Sequence, residues 1–537
     1  MLSNIKNIFS KDKKRKILIF FILFFVIISI VFSYLENNIQ KIISNEFSKK
    51  SNYTLKLDDV DFNLSGNLAF DNIIIFNTNN DTLFYSPKIT INPKSVQNAL
   101  VNNNFNFENI FIEDGLLFEE NLEDIDFLKT KLDQENNLFI RNLSLKNFKV
   151  IFNKTTTYLD FEIENFSQVD ELLNFSLFDS NVNIVDNKEI NDINADFELY
   201  DSEILISNLN FLVDSSIIKA NIIINDIDQL DSIKFSGSID NSKIISSDFI
   251  VESKSEEFIL NSNFSGNTKK ISFTDLSLNN NKMLLNADME FDIPLEKKNS
   301  QIKINFKELN SSSYELENIY PGIFGSVLPS SLKSIGNFKF YGDLSYNGDR
   351  IKSKFQLDNN DGKIYSDLEI FDFVNIDNAS YFGTFKGLNV DLSNFITLPF
   401  LGKSTFAFTI DGKGFVPELL NSQLTGKIQE LDINSYNYKN IDVSGDVSDK
   451  VFNGKLNIVD ENIEMDFIGL IDYSNELIDF DFSTDIIKAN IGKLNLTLIE
   501  NNSLSGKITT KLRGSEFSNL IGDLSFKDFK YFSGDAT

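Results

Sequence analysis

The strongest constraint on this chain is a two-residue period of apolar and polar side chains that begins near Tyr53 and keeps returning. Leu285, Ala287, Met289, Phe291 and Ile293 alternate with Asn286, Asp288, Glu290 and Asp292. The pattern recurs at Ile478, Phe480 and Phe482 against Asp479 and Asp481, and at Leu494, Leu496 and Leu498 against Asn495 and Thr497. It appears again at Phe197 and Leu199, followed by Ile204 and Ile206. Successive side chains of a strand point to opposite faces, so this period predicts half-buried strands, each with one apolar and one wet face. Ser65-Gly66, Asn347-Gly348, Asp361-Gly362, Asp411-Gly412, Ser444-Gly445 and Asn453-Gly454 carry the residue pairs of tight turns and bulges. The fold class expected is therefore mainly β: a long antiparallel sheet of on the order of thirty strands with a few helical crossings.

Where the period fails, helices are expected. Ile39, Ile42, Ile43 and Phe47 recur at helical spacing, which predicts a short amphipathic helix. A helical turn is expected over 94–101, after Pro93. Pro294, Pro321 and Pro329 bracket the least strand-like stretch, 311–335, where 314–320 and 325–333 read as short helices. The expected organisation is a cytoplasmic basic segment at 1–16, a transmembrane anchor at 17–35, and an N-terminal β unit with the amphipathic helix at 36–150. Further β repeats follow at 151–310, then a helical insertion at 311–335 and more β repeats at 336–537.

The anchor rests on nineteen consecutive uncharged residues at 17–35, about 28 Å as a helix, which matches a bilayer core. Lys6, Lys11, Lys13, Lys14, Arg15 and Lys16 precede it and Glu36 follows, so the basic flank is expected in the cytoplasm and the body outside. No small-residue cleavage site stands at 33–37, which favours an uncleaved anchor over a signal peptide.

Composition narrows the chemistry. Fifty basic against seventy-eight acidic residues leave a net charge of −28, which repels nucleic acid. The chain contains no Cys and no His, which excludes thiol nucleophiles, Ser–His–Asp triads, zinc fingers and disulfide scaffolds. Trp is absent, whereas 53 Phe and 15 Tyr supply a large apolar surface. Carboxylate pairs such as Asp58 with Asp59, or Glu119 with Glu120, read as a solvated face rather than a glycosidase pair. Asp358-Asn359-Asn360-Asp361-Gly362 is not a calcium loop, because placing Gly362 sixth puts Leu357 where the first ligand must stand. No glycine-rich phosphate loop occurs. A non-enzyme without metal or cofactor is expected.

A continuous apolar face of this length must curl or pack to escape aggregation. Two sheets closed into a sandwich and one sheet curled into a trough both satisfy the period, though the Cys and Trp marks of immunoglobulin domains are missing.

Two blocks of sequence carry a resemblance. The first runs from the anchor through Lys56-Leu57-Asp58-Asp59-Val60-Asp61-Phe62, Phe70-Asp71-Asn72-Ile73-Ile74-Ile75 and Asn80-Asp81-Thr82-Leu83-Phe84-Tyr85 to Phe107-Glu108-Asn109-Ile110-Phe111-Ile112-Glu113-Asp114-Gly115. The second includes Ser380-Tyr381-Phe382-Gly383-Thr384-Phe385, Asp391-Leu392-Ser393-Asn394-Phe395-Ile396 and Asp411-Gly412-Lys413-Gly414-Phe415. It continues through Tyr436-Asn437-Tyr438-Lys439-Asn440-Ile441 and Leu504-Ser505-Gly506-Lys507 to Asn519-Leu520-Ile521-Gly522-Asp523-Leu524. In this order the blocks resemble the AsmA-like family, specifically its TamB-type members, inner-membrane subunits of the translocation and assembly module.

The resemblance implies a trough of twisted antiparallel sheet hung from the inner membrane into the periplasm. Its apolar concave face would shield phospholipid acyl chains, with Leu285, Ala287, Met289, Phe291, Ile293, Phe480, Phe482, Leu494, Leu496 and Leu498 as candidate lining. It also implies support of protein assembly in the outer membrane through a BamA-type barrel, contacted by a carboxy-terminal domain. Gly534-Asp535-Ala536-Thr537 ends the sequence without that domain, and a piece of a longer protein is expected. The alternative reading is a membrane-tethered structural or adhesive β-protein of the envelope.

Overall fold

The computed structural model describes residues 53–62, 67–94, 106–118, 138–152, 155–169, 172–184, 188–200, 202–227, 232–292, 300–326, 328, 330–372, 379–394, 401–414, 420–498, 501–514 and 520–534, together with Lys41, Ser44, Asn45, Phe47 and Ser48 of a helix. The apolar run 17–35, Ile39, Ile42, Ile43, the Ser65-Gly66 turn, residues 95–101 and Ile293 lie outside them. Among the described residues no helix is long and apolar enough to cross a membrane.

The described residues form 29 strands and few helices, as the period predicts. The chain divides into two units, Met1–Gly237 and Ser238–Thr537. In the first unit, Thr54–Lys56 and Asp59–Phe62 both pair with Leu68–Phe76, which pairs with Thr82–Pro93. The expectation of a purely antiparallel sheet is corrected at the next step. Asn106–Glu113 and Leu116–Phe118 pair antiparallel with Thr82–Pro93 but parallel with Leu138–Phe152. The two short strands lie along one long neighbour, joined at Asp114, whose φ is 52°, and Gly115, where a Cβ would meet the Phe148 ring at 2.5 Å. Residues 119–137 are long enough for the return that a parallel pair requires. From Leu138–Phe152 to Ser216–Asn225 each strand then pairs antiparallel with the next. Among them, Phe197 lies opposite Ile206 and Leu199 opposite Ile204.

In the second unit an antiparallel meander runs from Glu257–Asn267 to Ile521–Ser533. Between Gln301–Ser312 and Asn337–Asn347 the predicted helical insertion is present as Ser313–Ile319, Ile323–Ser326 and the 3-10 turn Ser330–Ile335. Ser312 caps the first helix by accepting from the Glu315 N–H at 3.1 Å. Gly348 and Asp361 sit in two-residue hairpin loops, closed by Asn347 opposite Arg350 and by Asn359 opposite Gly362. Asp411-Gly412, Ser444-Gly445 and Asn453-Gly454 are not turns but strand interior. Gly445 faces Gly454, which faces Gly469, and a Cβ on Gly454 would come within 2.4 Å of the Phe452 ring. The ring fills the space that the missing side chains leave.

A recurring bulge shapes both units. Asn147, Asp192, Asn208, Asp275 and Asn389 sit inside strands at φ between 49° and 55°, each where the pairing register shifts. A residue taken out of the ladder loses its backbone partner, and here a side chain on the neighbouring strand replaces it. The N–H of Asn208 donates to Asn221 Oδ1 at 3.0 Å, that of Asp275 to Asp288 Oδ1 at 2.9 Å, and that of Asn389 to Thr405 Oγ1 at 3.1 Å. The residue after the bulge then faces a small buried partner: Leu209 faces Ala220, Leu276 faces Ala287, and Val390 faces Ser404. Such bulges bend a strand and increase its twist.

Candidate functional site

The apolar face of the second unit is assembled from cross-strand rows. Met289 stands between Phe273 and Ile304, and Ile304 pairs with Leu344. One pleat along, Phe291 stands between Ile271 and Ile302, and Ile302 pairs with Tyr346. Leu285 stands between Leu278 and Leu309, and Leu309 pairs with Phe340. The Phe273 and Phe291 rings stack with centroids 5.8 Å apart, and Phe340 lies 5.2 Å from Phe306 and 5.1 Å from Phe355. Strand Gln301–Ser312 shows the logic: Ile302, Ile304 and Phe306 are half-buried while Lys303, Asn305 and Lys307 are exposed. Further on, Phe480 pairs with Ile471 and Leu512, and Phe482 with Gly469 and Thr510.

Leu285, Met289, Phe291, Phe480 and Phe482 therefore lie on one apolar face, half-buried. Ala287 shares it but is fully buried, between Leu276 and Phe306 at the bulge of Asp275. Ile293 is outside the described residues. Among the described residues Leu494 and Val60 are the largest side chains fully closed to solvent.

Leu494, Leu496 and Leu498 do not form a strand, and that expectation is corrected. The preceding strand ends at Ala489, where Asn490 donates from its N–H to Asn462 O at 2.8 Å and from Nδ2 to Asn462 Oδ1 at 3.1 Å. The chain then winds: Leu494 N–H donates to Asn490 O and Leu496 N–H to Ile491 O, both at 3.0 Å. Asn495 has φ 57° and its Nδ2 donates to Asn434 O at 3.0 Å. This turn seals Leu494 against Tyr438, Ile441, Ile458, Ile463 and Ala489 and leaves Leu496 and Leu498 in solvent. Asn490 and Gly492 are the turn signals in this segment.

The opposite face is an ion-pair ladder. Lys307 Nζ lies 2.8 Å from Asp288 and 2.9 Å from Asp275. Glu290 takes Lys270 at 2.7 Å and Lys303 at 3.2 Å, and Lys352 lies 2.8 Å from Glu369. The hydrogen bond from Lys307 holds the Asp288 carboxyl below its ordinary range, and that from Lys270 does the same for Glu290. Exposed pairs of this kind add on the order of 0–1 kcal/mol each, so their main effect is to keep this face wet and the register fixed. A cleft of about 660 Å³ opens over it, lined by Asp288, Glu290, Lys303, Lys352, Asp367 and Glu369 among others. Among the described residues no group of three or more acidic side chains is placed to hold a metal ion.

No protein-family model matches the sequence, and no curated protein or solved structure matches it.

Proposed function

We propose that the apolar face lines a trough that shields lipid acyl chains, and that the chain works as an inner-membrane-anchored, periplasmic conduit supporting phospholipid transport to the outer membrane and protein assembly there. The observation that carries this reading is the run of half-buried apolar rows across successive strands of the second unit, facing away from a charged ladder. An acyl chain in water costs about 0.8 kcal/mol per CH₂, so a continuous apolar floor removes most of the barrier to crossing an aqueous gap. Repeated bulges supply the bend that turns such a sheet into a trough. The apolar run 17–35 behind its basic flank supplies the tether, and the partnership with an outer-membrane barrel follows from the family resemblance alone.

The test is lipid occupancy. The full chain, purified in mild detergent, is expected to carry phospholipid in native mass spectra. A Met289→Asp, Leu344→Asp variant that keeps its circular dichroism should lose most of it. A folded chain that carries no phospholipid and takes up no fluorescent phospholipid from vesicles overturns the conduit and favours a tethered structural or adhesive protein.

A further inference from the structure

A second surface in the same unit has nothing to do with the apolar rows. After the strand Lys234–Ile245, the 3-10 turn Ser246–Asp248 leads into Phe249, Ile250 and Val251. Phe249 is 55% exposed and Val251 86%. The turn that presents them is pinned. Ser246 Oγ donates to Lys254 O at 2.9 Å, and accepts from Ser253 Oγ at 2.7 Å and from Glu256 N–H at 3.0 Å. Ile250 N–H donates to Ser246 O at 2.9 Å. Glu252 is held at φ 67°, a conformation that non-glycine residues rarely adopt. The turn is also tied to the helix Ser313–Ile319: Lys254 N–H donates to Asn318 O at 2.9 Å and Lys254 Nζ to Asn318 Oδ1 at 2.7 Å. Between them lies a cleft of about 450 Å³, lined by Phe249, Ile250, Val251, Glu252, Tyr320 and Pro321.

We infer that this cleft docks a basic peptide segment carrying an apolar or aromatic side chain. Apolar side chains held outward on a rigid, hydrogen-bonded turn contribute nothing to a core, and rigid anchors of this sort are what binding surfaces use. The charge lining the cleft has one sign. Glu252 lines the cleft and, among the described residues, no basic side chain does. Lys254 is committed to Asn318 and to the Tyr314 ring, 5.4 Å from its centroid. The Glu252 carboxylate beside Phe249 and Tyr320 suits a Lys or Arg side chain, which gains from both the charge and the ring faces. Among the described residues the cleft lining offers an anionic lipid surface no cation, and a second copy of this chain brings a net charge of −28.

The test is selection from a displayed library of random linear peptides on the full chain. The expected winners place Lys or Arg next to Leu, Phe or Trp. They should lose about tenfold or more in affinity to the Val251→Asp and Glu252→Lys variants, and less to Glu252→Gln. Val251 and Glu252 are exposed, so these variants should keep the parent's thermal midpoint. Three outcomes overturn the proposal: no enrichment over the Val251→Asp chain, winners without basic residues, or vesicles containing phosphatidylglycerol that bind the parent and not Val251→Asp.

Discussion

At the scale of single residues, polar groups in this sheet are used where the ladder cannot serve. Tyr436 donates its hydroxyl to Asp460, whose carboxylate also accepts from Asn462 N–H at 2.9 Å and Lys439 N–H at 3.1 Å. Burial, and then the neighbouring carboxylate, push the Tyr436 phenol from 10.0 up to about 12. A raised phenol pKa means the folded state favours the protonated form. Its contribution is therefore complete below pH 10 and is lost as pH climbs through about 12. Tyr436→Phe should lower stability by about 1–2 kcal/mol near neutral pH. Urea midpoints taken across that window should converge, and a gap that stays constant would remove the phenol from this role. Asn208 is a second case, since its φ of 55° suits Asn and Gly but strains a β-branched side chain. Asn208→Val is expected to cost about 2 kcal/mol in chemical denaturation and Asn208→Gly less than about 1 kcal/mol. Equal costs would show that the left-handed backbone is not what selects the residue. This bulge is readable in retrospect. Ile206-Ser207-Asn208-Leu209 and Phe273-Thr274-Asp275-Leu276 each put two polar residues where alternation calls for one. Without the neighbouring strand, nothing says whether such a gap is a bulge or an end.

At the scale of elements, the two-residue period located the strands and their apolar faces well, because the side-chain period of a strand is a local property. Pairing between distant segments is not local, and there the reading failed. The parallel pairing of Asn106–Glu113 with Leu138–Phe152 depends on a return across 119–137, which no short window reveals. Glycine misled for the same reason. Gly348 at φ 62° is a turn glycine, whereas Gly454 is a strand glycine under Phe452, and a dipeptide window cannot tell them apart. Gly342 is another strand glycine. It sits at φ 138° inside a strand, where a Cβ would approach the Lys354 carbonyl oxygen to 2.2 Å. Because that atom is backbone and cannot rotate away, Gly342→Ala should destabilise by about 2–4 kcal/mol. Gly322 has φ 80° with open space around its Cβ position, so Gly322→Ala should cost only about 1–2 kcal/mol. Thermal midpoints of the two variants compare them directly, and an equal drop would remove crowding by the neighbouring strand as the cause.

At the scale of the whole molecule, the conduit reading makes the two faces of one strand behave as different environments. Met289 and Asp288 are adjacent in sequence and opposite in direction. The first stands among Phe273 and Ile304, and the second is held by Lys307. Phe482 and Asp481 repeat the contrast, with Phe467 5.0 Å from the Phe482 ring and Lys511 3.3 Å from Asp481. A photo-crosslinking amino acid at Met289 or Phe482 should capture phospholipid in living cells, and one at Asp288 or Asp481 should not. The contrast within each pair controls for expression, folding and distance from the membrane, which adjacent residues share. A closed protein core at the same positions would give intramolecular products or none at Met289 and Phe482. Lipid adducts of equal yield on both faces would mean that the chain only lies against a bilayer. Only a yield confined to the apolar rows agrees with acyl chains travelling along them, and both pairs must show it, because Met289 and Phe482 stand on strands far apart in the meander.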